Sequence, residues 1–437
     1  MRIDYIINSM EGGGAQTPLP RIVRALEKAG ATVRVLALTR RNGLAIERLR
    51  AAGIELVVRD GGERDHFAAI RWIERQARSG ETQLLWTSLT RATLLGQIAG
   101  DRLGLPVVSW QHNAFLKPWN ERLLRWRAGK SVMWVADSAE VARLTGERMR
   151  IAAGHLETWP IFAADAGSAQ VDPWLTGQPI VIGSLGRLHP AKGYDLLIDA
   201  VALLKSRAGL HLPPFRIVIG GTGTDEAALR SRARAAGVQE MEFAGYVQDT
   251  AAFFATLHLY VQPSRREGFC VAAHEALQAG LPVIVSATGE MPFTVDATIG
   301  RVVPVGDAEA LADALTGLLM QPHLLALLGG RGRERVLSKF CQNRFDAAAQ
   351  RMMDRLRAPA LLSCYPVEAA SQRQPAVFNL VTALSPPPDS LNAQATQQDI
   401  GSHGDLHPTE ELPHHRQDPR TCRADREQGQ DVQDLPL

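Results

Sequence analysis

Cysteine is scarce. Cys270, Cys341, Cys364 and Cys422 are the four in 437 residues, and no two stand at a metal-ligand spacing. Scattered thiols suit a reducing compartment, so neither a disulfide framework nor a zinc site is expected. Long apolar runs are lacking too. Stretches such as 131–136 end far short of the roughly eighteen residues a spanning helix needs, which excludes an integral helical membrane protein. The opening Met1-Arg2-Ile3-Asp4-Tyr5-Ile6-Ile7 reads as a strand rather than a leader, and a cytoplasmic location is expected. Nor does one charge dominate: 48 basic and 46 acidic side chains leave +2. That balance excludes the overall basicity of a nucleic-acid binder and the acidity of a disordered solvating chain.

What is present is unevenly spread. Residues 1–165 hold 24 basic and 17 acidic groups (+7), 166–358 hold 19 and 18 (+1), and 359–437 hold 5 and 11 (−6). All eight tryptophans fall at or before Trp174, so the first segment is both basic and aromatic. The length exceeds what a single core serves, and two domains are expected. In the first, β-branched runs at 3–7, 32–38, 55–58, 84–87, 107–110 and 131–136 alternate with helical patterns such as 20–29 and 68–78. In the second, runs at 180–184, 216–220, 241–244, 259–261, 283–286 and 301–304 alternate with helical patterns at 194–205, 225–236 and 308–319. Such alternation predicts α/β domains with parallel, doubly wound sheets. The small, Pro-flanked stretch 161–179 reads as the linker between them. The expected division is therefore 1–165, 166–345, a helix at 346–358 that returns to the first domain, and a tail. The tail, 359–437, has too few large apolar groups to offset its ordering entropy and is expected to be disordered and dispensable for chemistry.

Ligands of open α/β sheets bind beyond the carboxyl ends of the strands, so the loops there carry the chemistry. The run at 180–184 leads into Leu185-Gly186-Arg187-Leu188-His189-Pro190-Ala191-Lys192-Gly193. Two cations ahead of a helix N-terminus suit a diphosphate, the alternative being a solvated basic loop. A second loop, Pro263-Ser264-Arg265-Arg266-Glu267-Gly268-Phe269-Cys270, runs into a helix bearing Glu275 eight positions after Glu267. Free N–H groups at that helix start suit a phosphate, and Glu275 suits sugar hydroxyls.

Joined in this order with Gly220-Gly221-Thr222-Gly223, Phe243-Ala244-Gly245-Tyr246-Val247 and Ala279-Gly280-Leu281-Pro282-Val283, these motifs resemble the donor domain of the retaining glycosyltransferases of family 4. The likeness extends more loosely over residues 1 to about 357. It implies a GT-B fold: two Rossmann-like domains facing across a cleft, the first for the acceptor and the second for a nucleotide-sugar donor. By resemblance, Arg187 and Lys192 hold the donor diphosphate and Glu275 the ribose hydroxyls. Glu267 lies near the transferred sugar, with the N–H groups of Phe269 and Cys270 facing sugar or distal phosphate. The remaining donor contacts fall to Gly186, Gly221 and Gly268. The Gly12-Gly13-Gly14 turn approaches the diphosphate from the first domain, with Gly13 and Gly14 as its donor-binding members. His112 matches a histidine that contacts the donor sugar; without the resemblance, packing or solvent exposure is the ordinary reading. Cys270 departs from the family pattern, which commonly has Gly or Pro there.

No two aspartates stand two apart, so the Asp-x-Asp pair of metal-dependent transferases is missing. The expectation is catalysis without a metal or other cofactor, with Arg187, Lys192, Glu267 and His112 as the catalytic set and protein cations countering leaving-group charge. The product is expected to retain anomeric configuration, through attack on the face the diphosphate leaves rather than through Glu267 as a covalent nucleophile. A saccharide or lipid-linked saccharide of a bacterial surface polymer is the expected acceptor, and nucleic acid is not a partner. The mixed apolar and cationic stretch 120–130 suits an anionic bilayer, hence peripheral contact with the inner face of the plasma membrane. The plainer reading is a helix docking Leu123, Leu124 and Trp126 on the sheet, and it is preferred. The competing functions are a GT-B epimerase or phosphorylase, or a nucleotide-sugar-binding scaffold without turnover.

Overall fold

A computed structural model describes residues 1–113, 115–207 and 212–358. The expected tail at 359–437 lies outside them. Seven strands form the first sheet: β1 (Arg2–Ser9), β2 (Thr32–Thr39), β3 (Leu56–Val58), β4 (Leu84–Ser88), β5 (Val107–Gln111), β6 (Met133–Ala136) and β7 (Leu156–Thr158). Their order is β3-β2-β1-β4-β5-β6-β7, every pairing parallel. Six more form the second: β8 (Ile180–Leu185), β9 (Phe215–Gly220), β10 (Met241–Gly245), β11 (Leu259–Gln262), β12 (Val283–Ser286) and β13 (Gly300–Val303). These run β10-β9-β8-β11-β12-β13, again all parallel.

Each sheet is covered by helices, and the central strands β4, β5, β11 and β12 are buried at every position. Burial on both faces is why these strands read as unbroken apolar runs rather than alternating ones. The order of each sheet reverses at one place, between β1 and β4 in the first and between β8 and β11 in the second. Loops leave in opposite directions there, opening a crevice.

The stretch read as the linker is partly core. Ile161, Phe162, Ala163 and Ala164 are buried. Phe162 packs with Phe269 and Phe340, while Trp159 stacks on Trp110 at 4.7 Å and meets Phe345 at 5.0 Å. Small residues at 163–164 serve close packing here, not flexibility. The helix placed at 346–358 spans Gln342–Arg357, starting four residues earlier because its apolar stripe begins at Phe345. The chain crosses back just before it: Ala164 pairs with Cys341 as an isolated bridge, and Ala164 N–H donates to the Phe340 carbonyl at 2.8 Å. The returning helix lies on helix Leu19–Lys28 of the first lobe. Lys28 pairs with Asp346 at 2.7 Å, Arg355 pairs with Glu157, and Arg357 donates to the Ala29 carbonyl at 2.6 Å. Both sheets belong to one compact unit.

Candidate active site

The sequence-selected residues gather at the two switch points. Gly186, Arg187 and Lys192 follow β8, and Glu267 to Cys270 follow β11, the two strands that flank the reversal of the second sheet. The two loops are stitched together. Arg265 and Arg266 N–H both donate to the Ala191 carbonyl, at 2.8 and 3.3 Å, and the Arg265 guanidinium grips Asp195 through two bonds of 2.7 Å. A bidentate fork of this kind fixes orientation as well as distance. Neither Arg265 nor Asp195 stands out in the sequence, because their partnership exists only in the folded chain.

Lys192 Nζ lies 2.6 Å from Glu267 Oε1. Burial works most strongly against the ammonium, yet the charge and hydrogen bond of Glu267, joined by Cys270 and Tyr194, together hold Lys192 above its ordinary value, so the group is a cation at any physiological pH. Glu267 is held in turn by a relay: Ser264 Oγ donates to it at 2.6 Å, Gln262 Nε2 donates to Ser264 at 2.9 Å, and Tyr260 Oη donates to Gln262 at 2.6 Å. Arg187 is exposed and has no ion-pair partner among the described residues. One cation is thus fixed and the other is free to reach a ligand.

Helix Val271–Gln278 starts directly behind Glu267, and the N–H groups of Phe269 and Cys270 have no backbone acceptor among the described residues. Cys270 caps this helix in the left-handed region, φ 65°, which explains why a glycine is at home at this position. Burial raises its thiol, so no thiolate forms there. The side chain of Phe269 is core, stacked on His274 at 4.1 Å. Burial pushes His274 down to about 3, leaving it neutral. Gly221, at φ 128°, lets its loop lie against the Gly186 carbonyl, where a Cβ would collide.

From the first lobe, His112 follows β5 and lies against the loop that follows β11: a Cβ on Gly268 would collide with the His112 carbonyl. Its ring is already engaged, with Nδ1 3.0 Å from Asp137 and Nε2 2.6 Å from Ser88 Oγ. The glycine that touches the second lobe is Gly12, against Tyr246 Oη. Gly13 and Gly14 make no such contact; a Cβ would meet only Gln16 at the first and open space at the second. Glu275 is half-buried and faces Arg48 and Arg21 of the first lobe. Burial raises it to about 7, the two arginines easing the shift. Among the described residues no three His, Cys, Asp or Glu side chains form a metal-ligand group, and no single helix is long and apolar enough to cross a membrane.

Two parallel, doubly wound sheets facing across a crevice, with loops converging from both reversal points, define the GT-B class. Solved structures agree: HepE of Anabaena in complex with UDP-glucose superposes with a TM-score of 0.71 over 82% of this chain and 100% of that one, at 19% identity. The chain belongs to the family 4, group 1 glycosyl transferases. Residues 12–162 match the family model for Glycosyltransferase Family 4, and residues 171–335 that for Glycosyl transferases group 1. Among curated relatives, the phosphatidyl-myo-inositol mannosyltransferase of Mycobacterium leprae is 26% identical over 74% of this chain and 88% of its own length. The lipopolysaccharide core biosynthesis glycosyltransferase LpsE of Rhizobium meliloti is 32% identical over 37% of this chain. That match spans 45% of LpsE, less than half its length.

Proposed function

We propose that the protein is a retaining, metal-independent glycosyltransferase. It moves a sugar from a nucleoside-diphosphate sugar to a saccharide or lipid-linked saccharide acceptor of a bacterial surface polymer. The observation that carries this reading is the juxtaposition of Lys192, Glu267 and the unpartnered N–H groups of Phe269 and Cys270 at one reversal point, with Arg187 in the same loop. HepE, which shares the fold, is described with UDP and with UDP-glucose, and LpsE belongs to lipopolysaccharide core biosynthesis. Both support the choice of donor and acceptor class.

Breaking the bond from sugar to diphosphate builds negative charge on the leaving oxygen. On this reading Lys192 and the helix-start amides, fixed before the reaction begins, meet that charge without reorganising, often the largest catalytic contribution, and Arg187 reaches it from the same loop. The acceptor hydroxyl attacks from the face the diphosphate leaves, and a leaving-phosphate oxygen takes its proton. Glu267 stays paired with Lys192 and orients it.

A transfer assay with UDP-, GDP- and ADP-sugars tests the proposal. Lys192→Ala and Arg187→Ala are each expected to cut turnover by about 10²-fold or more, the scale of losing one oxyanion donor, and chelator is expected to leave wild-type turnover intact. Normal rates in both variants, or loss with chelator, refute it.

A further inference from the structure

Strands β4, β5 and β6 are neighbours in the first sheet, and each delivers one polar group to the same point. Ser88 ends β4, His112 follows β5 by one residue, and Asp137 follows β6 by one residue. His112 Nδ1 lies 3.0 and 3.1 Å from the two carboxylate oxygens of Asp137, and Nε2 lies 2.6 Å from Ser88 Oγ. Asp137 Oδ1 also accepts the Trp110 Nε1–H at 2.6 Å, and the Trp110 ring stacks on the imidazole at 5.4 Å. Ser88 and Asp137 are buried, and the His112 side chain is 9% exposed.

This is a serine, histidine and aspartate in line, but burial of Ser88 bars it from acting as a nucleophile. The chemistry of the row lies elsewhere. An ionised carboxylate only accepts hydrogen bonds, so the Nδ1 facing Asp137 carries a proton. In a neutral ring Nε2 then holds the lone pair, and Ser88 donates to it. Ser88 has an alternative direction to turn: Tyr5 Oη is buried within hydrogen-bonding reach of it and makes no hydrogen bond to any other described residue.

We propose that Asp137 is a positioning residue that fixes His112 as the Nδ1–H tautomer. Ser88 acts as a placeholder on Nε2, which a hydroxyl of the transferred sugar displaces while Ser88 turns to Tyr5. The sugar's part in this rests on the function proposed above; the tautomer does not.

The two are tested separately. In the full chain labelled with ¹⁵N-histidine, with His112 assigned by its loss in His112→Gln, the expected spectrum has the proton on Nδ1. In Asp137→Asn, Oδ1 keeps the Trp110 bond and the amide turns its NH₂ to the ring, so the proton is expected to move to Nε2. In the transfer assay Asp137→Asn is expected to lower kcat by about 10²-fold or more, by the wrong-tautomer effect, with the donor KM within about threefold of wild type. Ser88→Ala is expected to keep the Nδ1–H tautomer and lower the donor KM by about threefold, since one hydrogen bond no longer has to be displaced. A wild-type ring protonated on Nε2, or Asp137→Asn with wild-type tautomer or kcat, overturns the positioning role; the first of these is read in the wild-type spectrum, with His112→Gln used only for assignment. An unchanged KM in Ser88→Ala overturns the placeholder. If the wild-type chain turns over no nucleotide sugar, the functional reading fails while the spectrum still decides the tautomer.

Discussion

The Glu275 carboxylate accepts no hydrogen bond from any described residue, and burial is the main cause that raises it from the ordinary 4.5 to about 7. Between those values the folded chain holds a proton that the unfolded chain has released. Stability therefore falls as pH rises from about 4.5 to about 7, and the loss is complete above that. Glu275→Gln removes the titration, so its melting temperature is expected to exceed that of wild type at pH 8 and to lose this part of the pH dependence. Thermal unfolding at pH 5 and 8 reads both, and parallel profiles contradict the assignment. Ribose hydroxyls donating to the carboxylate would favour its charged form. Nucleotide affinity is then expected to rise between pH 6 and 8 in wild type and not in the variant, as titration calorimetry would show.

At the scale of elements, helix Pro118–Trp126 behaves unlike the docking helix its sequence suggests. Of Leu123, Leu124 and Trp126, only Leu124 is buried, while Trp119 and Trp126 are 46% and 65% exposed. Seven residues apart, the two indoles share one face, two turns apart, with Arg122 between them and Lys117 at the start. Amphipathic rings set among cations suit the headgroup layer of an anionic bilayer. Wild type is expected to sediment with phosphatidylglycerol vesicles at low salt, and the doubly substituted Trp119→Ala, Trp126→Ala chain to lose that sedimentation. Failure of wild type itself to sediment removes the idea.

The strands and the cationic loops were legible because their signals are local: β-branched runs, glycines and paired charges within a dozen residues. Helix Ala308–Leu319 ends where its periodicity does, with Asp307 accepting from Ala310 N–H at 2.8 Å as the cap. β7, Leu156–Thr158, holds a single β-branched residue and did not register, whereas the equally short β3 lies in the run at 55–58. Ser88 and Asp137 were invisible for a different reason: they lie 49 residues apart, and only adjacent strands bring them to His112. The burial of 161–164 is likewise a tertiary fact, since small residues before a proline-rich stretch look the same in a hinge and in a tight seam.

For the whole molecule, Gly268 and the His112 carbonyl bring the two lobes into close backbone contact at the cleft loops. A methyl group there has backbone on its far side and nothing flexible to displace. Gly268→Ala is expected to hold the lobes apart, cutting transfer by about 10²-fold, as misplacement of about 1 Å does, while nucleotide affinity of the second lobe changes little. Equal losses of binding and turnover would place the fault inside the donor loop instead.

The seam behind the cleft limits how such parting can occur. With Ala164 and Cys341 joined rung to rung, outgoing and incoming chain form a two-ply strip, and aromatic rings from both sides fill its flanks. A single tether would let the halves drift in any direction. A double one resists stretching and shear more than twist, so any parting of the jaws is expected at the rim farthest from it.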